Sequence, residues 1–374
     1  MSALDGREYR DPSVAALPRD DSAVIPSEAI VIPSEARDLG TLFRRGGSRR
    51  AFLARAAGLV ALAACDVREF ARARGARQRI SIATGQVGGT YYILGGGMAK
   101  VITDHVANVD ATAEVTAATV DNLKLLRAGQ ADLAFVMGST LGDAYQGTGA
   151  FREFGRVPVR ALATLYVQPM HVVTLAATGI RSVADLRGHV VSTGAPGSGT
   201  EDVALQMLAA AGIDAAAGLR RERLGPAQSV DALKDGKLDA FFMGSAAPAP
   251  ALVELASTLG DRMRLVPSGD LLPALHERFG AEQYPLYTIP AGTYPGQHAD
   301  VPAVGSPSVL VVDASMAEPL AYEITRALFE HTDALAAIHP IAGAMTPERA
   351  VTGSPVPFHP GAIRYYQQRG AWPS

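Results

Sequence analysis

A seven-residue motif that occurs twice constrains the fold of this 374-residue chain more than any other feature. The motif Leu-x-x-Gly-x-x-Asp spans Leu126–Asp132 and again Leu233–Asp239, each time after residues with helical spacing. An apolar run of strand length, Leu133–Met137, follows the first copy, and such a run is typical of a buried parallel strand. Alternating helices and strands predict a parallel sheet with helices on its faces. The repetition therefore predicts an α/β protein built from two similar lobes.

The length and the charge of the chain limit its class. The roughly 310 residues from Cys65 onward exceed the size at which one core usually stops growing, so two lobes are expected. The first 64 residues hold nine of the 34 basic and eight of the 37 acidic residues, which leaves a net charge near −4. Because no block of basic residues is present, nucleic acid is not expected as a partner. Cys65 is the only cysteine, which excludes an internal disulfide and a cysteine metal site.

Residues 48–65 are typical of an export signal. Arg49-Arg50 followed by Phe52-Leu53 looks like a twin-arginine signal, and Leu62–Cys65 looks like a lipobox whose cysteine would be lipidated. The apolar run is only about ten residues, too short to span a bilayer, and a basic alanine-rich helix is the alternative. We expect a signal at 48–64, a tether at 65–78, and a protein in the periplasm that is anchored to the membrane by lipid on Cys65.

Residues 1–47 precede this signal and have no apolar periodicity and several charges. A stretch of that kind cannot bury a core, so it is predicted to be disordered or to result from a misassigned start. The hypothesis is that translation begins nearer Leu42.

Two glycine-rich segments, Gly85–Tyr91 and Gly194–Thr200, each lie between a predicted strand and a predicted helix. Such loops leave backbone N–H groups at a helix N-terminus, where the helix dipole favours an anion. Neither segment fits a nucleotide-binding fingerprint, and a tight strand-to-helix turn uses glycine for structural reasons as well. One loop in each half indicates a cleft between lobes. We expect a carboxylate to be held there by Ser198, Thr200 and backbone N–H groups.

Catalytic and metal-binding patterns are weak in this sequence. Gly197-Ser198-Gly199 is not a nucleophile elbow, and the histidines have no zinc-ligand spacing. We interpret four of them as structural: His171, His189, His339 and His359. The sequence therefore predicts a protein that is not an enzyme, with no cofactor and no metal.

Seven segments together resemble one family, the TAXI solute-binding receptors of tripartite ATP-independent periplasmic (TRAP) transporters. They cover nearly all of 79–370 in the family's order: Ile82–Tyr92, Asp121–Ala134, Thr164–Tyr166, Gly194–Glu201, Lys234–Phe242, Ile289–Tyr294 and Val356–Ala362. The resemblance implies a two-lobed periplasmic-binding-protein fold of type II with the ligand cleft between the lobes. It also implies an organic anion or amino acid as ligand, such as glutamate or 2-oxoglutarate, and delivery to a TRAP membrane permease.

In that fold the chain crosses between lobes twice, here near Tyr166–Val173 and Ala303–Leu310. Lobe one would comprise 79–170 plus 306–374, and lobe two 171–305. The family's pocket, transferred by motif, comprises from lobe one Gly88, Thr90, Tyr91 and Asn122, and from lobe two Gly197, Ser198, Gly199, Thr200, and Phe242 or Met243 as a wall.

Two positions in this resemblance leave alternatives open. Tyr166, at the hinge, either donates its phenol to the ligand or packs there. Asp121 stands where family members often have Gly-Ser before the asparagine, and its carboxylate either points to solvent or favours a ligand with an ammonium group. A ligand sensor for a membrane signalling system, and an enzyme on the same scaffold, are the alternatives to a transport receptor.

Overall fold

The computed structural model describes residues 77–281 and 283–373. The predicted signal, Cys65 and residues 1–47 lie outside these ranges, as does the predicted tether except for its last two residues. The first strand begins at Gln78, the last residue of that tether. In the part of the chain that the structure describes, no helix combines the length and apolar character needed to cross a bilayer.

Ten strands form the framework of residues 77–281 and 283–373. They are β1 (Gln78–Ala83), β2 (Val109–Glu114), β3 (Leu133–Met137), β4 (Val159–Leu175), β5 (Val190–Ser192), β6 (Arg220–Glu222), β7 (Ala240–Gly244), β8 (Met263–Leu265), β9 (Leu286–Ile289) and β10 (Val301–Asp313).

Eleven helices, besides short 3-10 turns, cover the strands in the described residues. They are α1 (Thr90–His105), α2 (Thr119–Arg127), α3 (Gly138–Gln146), α4 (Gly199–Ala210), α5 (Pro226–Lys234), α6 (Pro250–Leu259), α7 (Leu272–Phe279), α8 (Glu318–Glu330), α9 (Thr332–Ile338), α10 (Pro347–Ala350) and α11 (Pro360–Gln368).

The strands build two half-sheets with the same order and directions. In the first, the order is β2-β1-β3-β10-β4, with β1 parallel to β2 and β3, and β10 antiparallel to β3 and β4. In the second, the order is β6-β5-β7-β4-β8, with β5 parallel to β6 and β7, and β4 antiparallel to β7 and β8. This matched pair confirms the predicted class, a two-lobed α/β fold of the type II periplasmic-binding-protein kind.

Two long strands join the lobes. Residues 159–169 of β4 pair with β10 in the first lobe, and residues 170–174 pair with β7 in the second. Strand β10 pairs with β9 through Val301–Val304 and with β3 through Ser308–Val312. Because both strands run unbroken through the crossing, the residue boundaries at 170/171 and 305/306 remain a prediction.

The repeated motif makes the same contacts in both lobes. Leu126 and Leu233 are buried, and Gly129 and Gly236 end their helices with φ of 65° and 69°, a left-handed conformation that favours glycine. The motif's aspartate then pairs with the neighbouring strand, as described next.

Each aspartate of the motif forms two hydrogen bonds with one residue of the first strand of its lobe. Asp132 accepts the Ser81 N–H at 2.8 Å through its carboxylate and donates its own N–H to Ser81 O at 2.9 Å. Asp239 does the same with Val190, at 2.9 Å in both directions. The motif thus sets where β3 and β7 start relative to β1 and β5.

Candidate functional site

A cavity of about 60 Å³ lies between the two lobes, at the carboxyl ends of β1, β3, β5 and β7. Ligands of open α/β sheets bind at such edges. The space is sufficient for roughly four to six water molecules. Twenty residues line it: Gly85, Gln86, Gly89, Thr90, Tyr91, Ala117, Ala118, Thr119, Met137, Gln168, Gly194, Ala195, Ser198, Gly199, Thr200, Leu224, Pro226, Phe242, Met243 and Gly244.

The two lobes touch each other around this cavity. The hydroxyls of Thr90 and Ser245 are 3.0 Å apart, and the Asp121 N–H donates to Gly197 O at 3.2 Å. Further out, the Thr140 hydroxyl donates to the Asp202 carboxylate at 2.6 Å. Each contact joins an element that follows a strand of one half-sheet to an element of the other. The structure therefore has the cleft closed.

Four helices begin at the cavity wall, and three of them, α1, α2 and α4, begin with a residue that carries a backbone N–H, whereas α5 begins with Pro226. Thr90 starts α1, Thr119 starts α2 and Gly199 starts α4, and all three residues line the cavity. The residues that precede α1 and α2, Gly89 and Ala118, make no side-chain cap to the helix. The first N–H groups of a helix have no acceptor within it, and its dipole adds about half a positive charge there. The cavity is therefore positive without a cationic side chain.

Three hydroxyls of the wall accept a hydrogen bond from the protein. Thr119 Oγ1 accepts the Met137 N–H at 3.1 Å, and Thr200 Oγ1 accepts the Gly244 N–H at 3.2 Å. The Tyr91 phenol accepts from both Gln168 Nε2 and Ser308 Oγ at 3.0 Å. Each hydroxyl keeps its own hydrogen to donate, so together they suit an acceptor such as an anion.

Burial raises the pKa of the Tyr91 phenol far above its ordinary value, although the hydrogen bonds from Ser308 and Gln168 oppose this. The side chain therefore stays neutral at physiological pH and serves as a donor. Gln168, whose amide holds that phenol, is itself almost fully buried on β4, the strand that crosses between the lobes.

The second glycine-rich loop is held from behind by an ionic cluster. The Glu201 carboxylate accepts the Gly197 N–H at 3.1 Å and pairs with the guanidinium groups of Arg221 and Arg223. Ser198 caps α4 by accepting the Glu201 N–H at 3.1 Å, and its hydroxyl donates to Ala195 O at 2.7 Å. Ser198 is therefore engaged in the loop itself, which leaves Thr200 as the loop's hydroxyl donor.

At Gly199 the backbone of the second lobe comes close to the side chains of the first. A Cβ at this position would be 2.6 Å from Thr119 Oγ1 and 2.7 Å from Met137 Sδ. Only a residue without a side chain lets the N-terminus of α4 reach the wall formed by α2 and β3.

Seven of the residues predicted from the sequence come together at the cavity: Thr90, Tyr91, Ser198, Gly199, Thr200, Phe242 and Met243. Gly88 and Gly197 lie in the same loops but do not line it. Asp121 is partly exposed and also lies outside the lining, with its N–H bonded to the second lobe.

Asn122 does not lie at the cavity as expected, and of the two alternatives for Tyr166 the structure has the packed one. The Asn122 amide donates to Thr84 O and Phe135 O at 2.8 Å and its oxygen accepts the Thr116 hydroxyl, so it fastens α2 to β1 and β3. The Tyr166 hydroxyl is buried beside Ser308 without a regular hydrogen bond, and burial raises its pKa. Neither residue lines the cavity.

Sequence reasoning missed four polar or polarisable wall residues: Gln86, Thr119, Met137 and Gln168. The sequence contains a local signal for Thr119, because this residue follows three small residues and opens a predicted helix. In the structure one of the three, Ala118, has φ of 82°. The sequence also contains a signal for Gln168, because an amide side chain within the apolar run of β4 needs a buried hydrogen-bond partner.

The histidine with the most buried ring supports the second lobe's wall. The two ring nitrogens of His171 contact Met243 O at 3.1 Å and the Tyr294 hydroxyl at 2.8 Å. That hydroxyl accepts the Ala249 N–H at 3.0 Å. Burial lowers the pKa of His171 to about 4. The ring is thus neutral and connects β7 with the segment that precedes α6.

Several solved structures resemble this chain at low sequence identity. The alkanesulfonate-binding protein SsuA from Xanthomonas axonopodis pv. citri, solved with MOPS bound, is 15% identical over 79% of this chain and 80% of its own, with a TM-score of 0.45. The periplasmic aliphatic sulphonate binding protein SsuA from Escherichia coli is 17% identical over 78% and 83%, with a TM-score of 0.44.

An ancestral arginine-binding protein bound to arginine is 14% identical over 71% of this chain and 98% of its own, with a TM-score of 0.43. At these scores the likenesses say nothing about the ligand of this chain. At the level of sequence, residues 82–370 match the NMT1-like family, and the chain therefore belongs to that family.

Proposed function

We propose that this protein is an extracytoplasmic solute-binding receptor that captures a small organic anion by hinge closure. The observation that carries the proposal is the meeting of three helix N-termini and three donor hydroxyls at one cavity between two lobes. Backbone N–H groups at helix starts bind anions without any cationic side chain. A carboxylate or another singly charged oxyanion matches this set of donors.

The mechanism is closure of the lobes about β4 and β10. A ligand that contacts α1 and α2 of the first lobe and α4 of the second stabilises the closed form over the open form. Only this difference in affinity can shift the equilibrium between them. The direct contacts between Thr90 and Ser245, and between Asp121 and Gly197, add to the closed form once it has formed.

The proposed destination of the ligand is a TRAP permease, and the proposed class is the TAXI receptors that the seven segments resemble. The support is the order of those segments along 79–370. Export through the twin-arginine-like signal and a lipid on Cys65 would keep the receptor close to that permease.

Binding is favoured over catalysis by the composition of the wall. Among the described residues that line the cavity, none is a carboxylate, a histidine, a cysteine or a lysine. The wall does contain hydroxyls, but a hydroxyl nucleophile needs an adjacent base such as these groups to activate it.

The test is thermal unfolding of the protein with pyruvate, 2-oxoglutarate, ethanesulfonate, alanine and glutamate. A ligand that binds only the folded state raises the unfolding midpoint. We expect at least one of the anions to do so. Replacing Tyr91 by Phe should reduce that shift, because the phenol donor is lost, whereas Tyr92→Phe, one residue outside the lining, should not. A panel that leaves the midpoint of a folded protein unchanged contradicts the proposal.

A further inference from the structure

The wall of the cavity, as the described residues form it, holds no ionised side chain. All twenty lining residues are neutral, and the groups that face inward are hydroxyls, two amides, backbone and apolar side chains. Whatever net charge the ligand carries must therefore be balanced by helix N-termini and hydrogen bonds alone.

The helix N-termini and the hydroxyls among those groups have one polarity. Three helix N-termini contribute positive partial charge. The oxygens of Thr119, Thr200 and Tyr91 already accept hydrogen bonds from the protein, so each has a hydrogen left to offer. An anion is complementary to this arrangement, whereas an ammonium group would meet hydrogens and positive dipole ends.

The nearest carboxylates are engaged elsewhere. Glu201 is neutralised by Arg221 and Arg223 on the outer side of the loop. Asp202 accepts from Thr140, and Asp121 does not line the cavity. An ammonium group brought into this cavity would lose its water without gaining a charged partner, and an unpaired buried charge is strongly disfavoured.

We infer that the site discriminates against α-amino acids and prefers small carboxylates or sulfonates without an ammonium group, such as 2-oxo acids. The inference rests on the proposed function, because it describes the selectivity of the same cavity. It resolves the choice between an organic acid and an amino acid in favour of the former.

The experiment is titration calorimetry of the protein with two matched pairs, pyruvate against alanine and 2-oxoglutarate against glutamate. Within each pair the carbon skeleton and carboxylates are the same, and only the oxo and ammonium groups differ. We expect the oxo acid that binds to do so at least about tenfold more tightly than its amino counterpart, the scale of one hydrogen bond to a charged group.

A variant of the protein tests whether electrostatics cause this selectivity. Gln86 lines the cavity, and its side-chain oxygen lies against Gly225 of the other lobe, so Gln86→Glu adds a negative charge with almost no change in shape. This variant should bind the oxo acid about tenfold or more weakly and shift the ratio of the two affinities towards the amino acid. The exposed Gln146→Glu, outside the lining, is the matched control and should leave the ratio unchanged.

The outcomes separate the two proposals. Equal or tighter binding of the amino acid overturns the selectivity but leaves the receptor function standing. A ratio that does not respond to Gln86→Glu contradicts the electrostatic basis of the selectivity. No binding of any ligand to the folded protein overturns both.

Discussion

Two buried polar side chains next to the cavity form hydrogen bonds with the surrounding backbone and do not line the cavity themselves. Asn122 and His171 both use their side chains on backbone or buried groups of adjacent elements. Such residues are essential to the shape of the site, because an unpaired polar group left in the interior costs about 1–3 kcal/mol. Asn122 was expected to contact the ligand because it lies in a motif of the family resemblance, whereas His171 was interpreted as structural from the sequence.

The pH dependence of stability is predicted at His171. Its pKa is about 4 in the folded protein, against about 6.5 in an unfolded chain. The unfolded state therefore binds the proton more readily, and stability falls as the pH drops from about 6.5 to about 4. The loss amounts to about 3 kcal/mol, since one pKa unit corresponds to about 1.4 kcal/mol.

Urea unfolding of the protein and of His171→Gln at pH 7 and pH 4.5 measures this. The variant should lose less stability than the wild type between these two pH values. The same loss in both proteins would show that His171 does not carry the effect.

The close approach at Gly199 predicts a specific defect of closure. Gly199→Ala places a methyl group against Thr119 and Met137, so the lobes cannot meet fully. We expect the affinity for the best-binding anion to fall at least about tenfold, because the closed form is destabilised relative to the open form. Gly96→Ala is the control, since its Cβ would meet nothing within 4 Å on the exposed side of α1.

Calorimetry of both variants, with unfolding curves to compare stability, gives the answer. An unchanged affinity in Gly199→Ala would mean that the ligand does not need the contact between α4 and the first lobe.

At the scale of elements, the repeated motif connects each helix to its sheet by the same bonds. The aspartates Asp132 and Asp239 hold β1 and β5 through one residue each. Replacing either by Ala leaves a strand N–H without its acceptor and should cost about 1–3 kcal/mol of unfolding free energy, of similar size in both lobes. Asn, which keeps an acceptor oxygen, should restore most of it.

Chemical denaturation of Asp132→Ala, Asp239→Ala and the two Asn variants measures this. Asp235→Ala is the control, because this exposed residue at the end of α5 pairs only with exposed Lys237. Losses no larger than that of the control would contradict the role given to the motif.

Elements with clear periodicity could be predicted from the sequence, and the first half of β10, which contains two prolines, could not. Strand β3 and the helices around the motif follow from buried runs and helical spacing. The apolar run Ser308–Val312 predicts a strand of five residues, but β10 spans Val301–Asp313. Pro302 and Pro307 argue against a strand in the first half of β10, because proline is normally confined to edge strands and bulges. The structure accommodates them next to an irregularity, since the register of β10 with β4 shifts directly after Ser308. Residues 316–338 are predicted to be helical from the sequence, and in the structure they form two helices that meet at His331.

At the scale of the whole molecule, the candidate site depends on contacts between residues far apart in sequence. The two glycine-rich loops predicted two of the three helix N-termini, because a glycine-rich loop is recognised from consecutive residues alone. Gln168 and Ser308 could not be assigned to Tyr91 from the sequence, because they come from the two crossing strands, 77 and 217 residues away. Closure is likewise a property of both lobes together and is invisible in either half alone.

Solution X-ray scattering tests the central claim, that a small anion closes the two lobes over the cavity. It compares the protein alone with the protein saturated by the anion that raises the unfolding midpoint most. We predict a smaller radius of gyration with the ligand in the wild type and a smaller change in Gly199→Ala. Saturating binding with an unchanged radius of gyration in the wild type would contradict hinge closure.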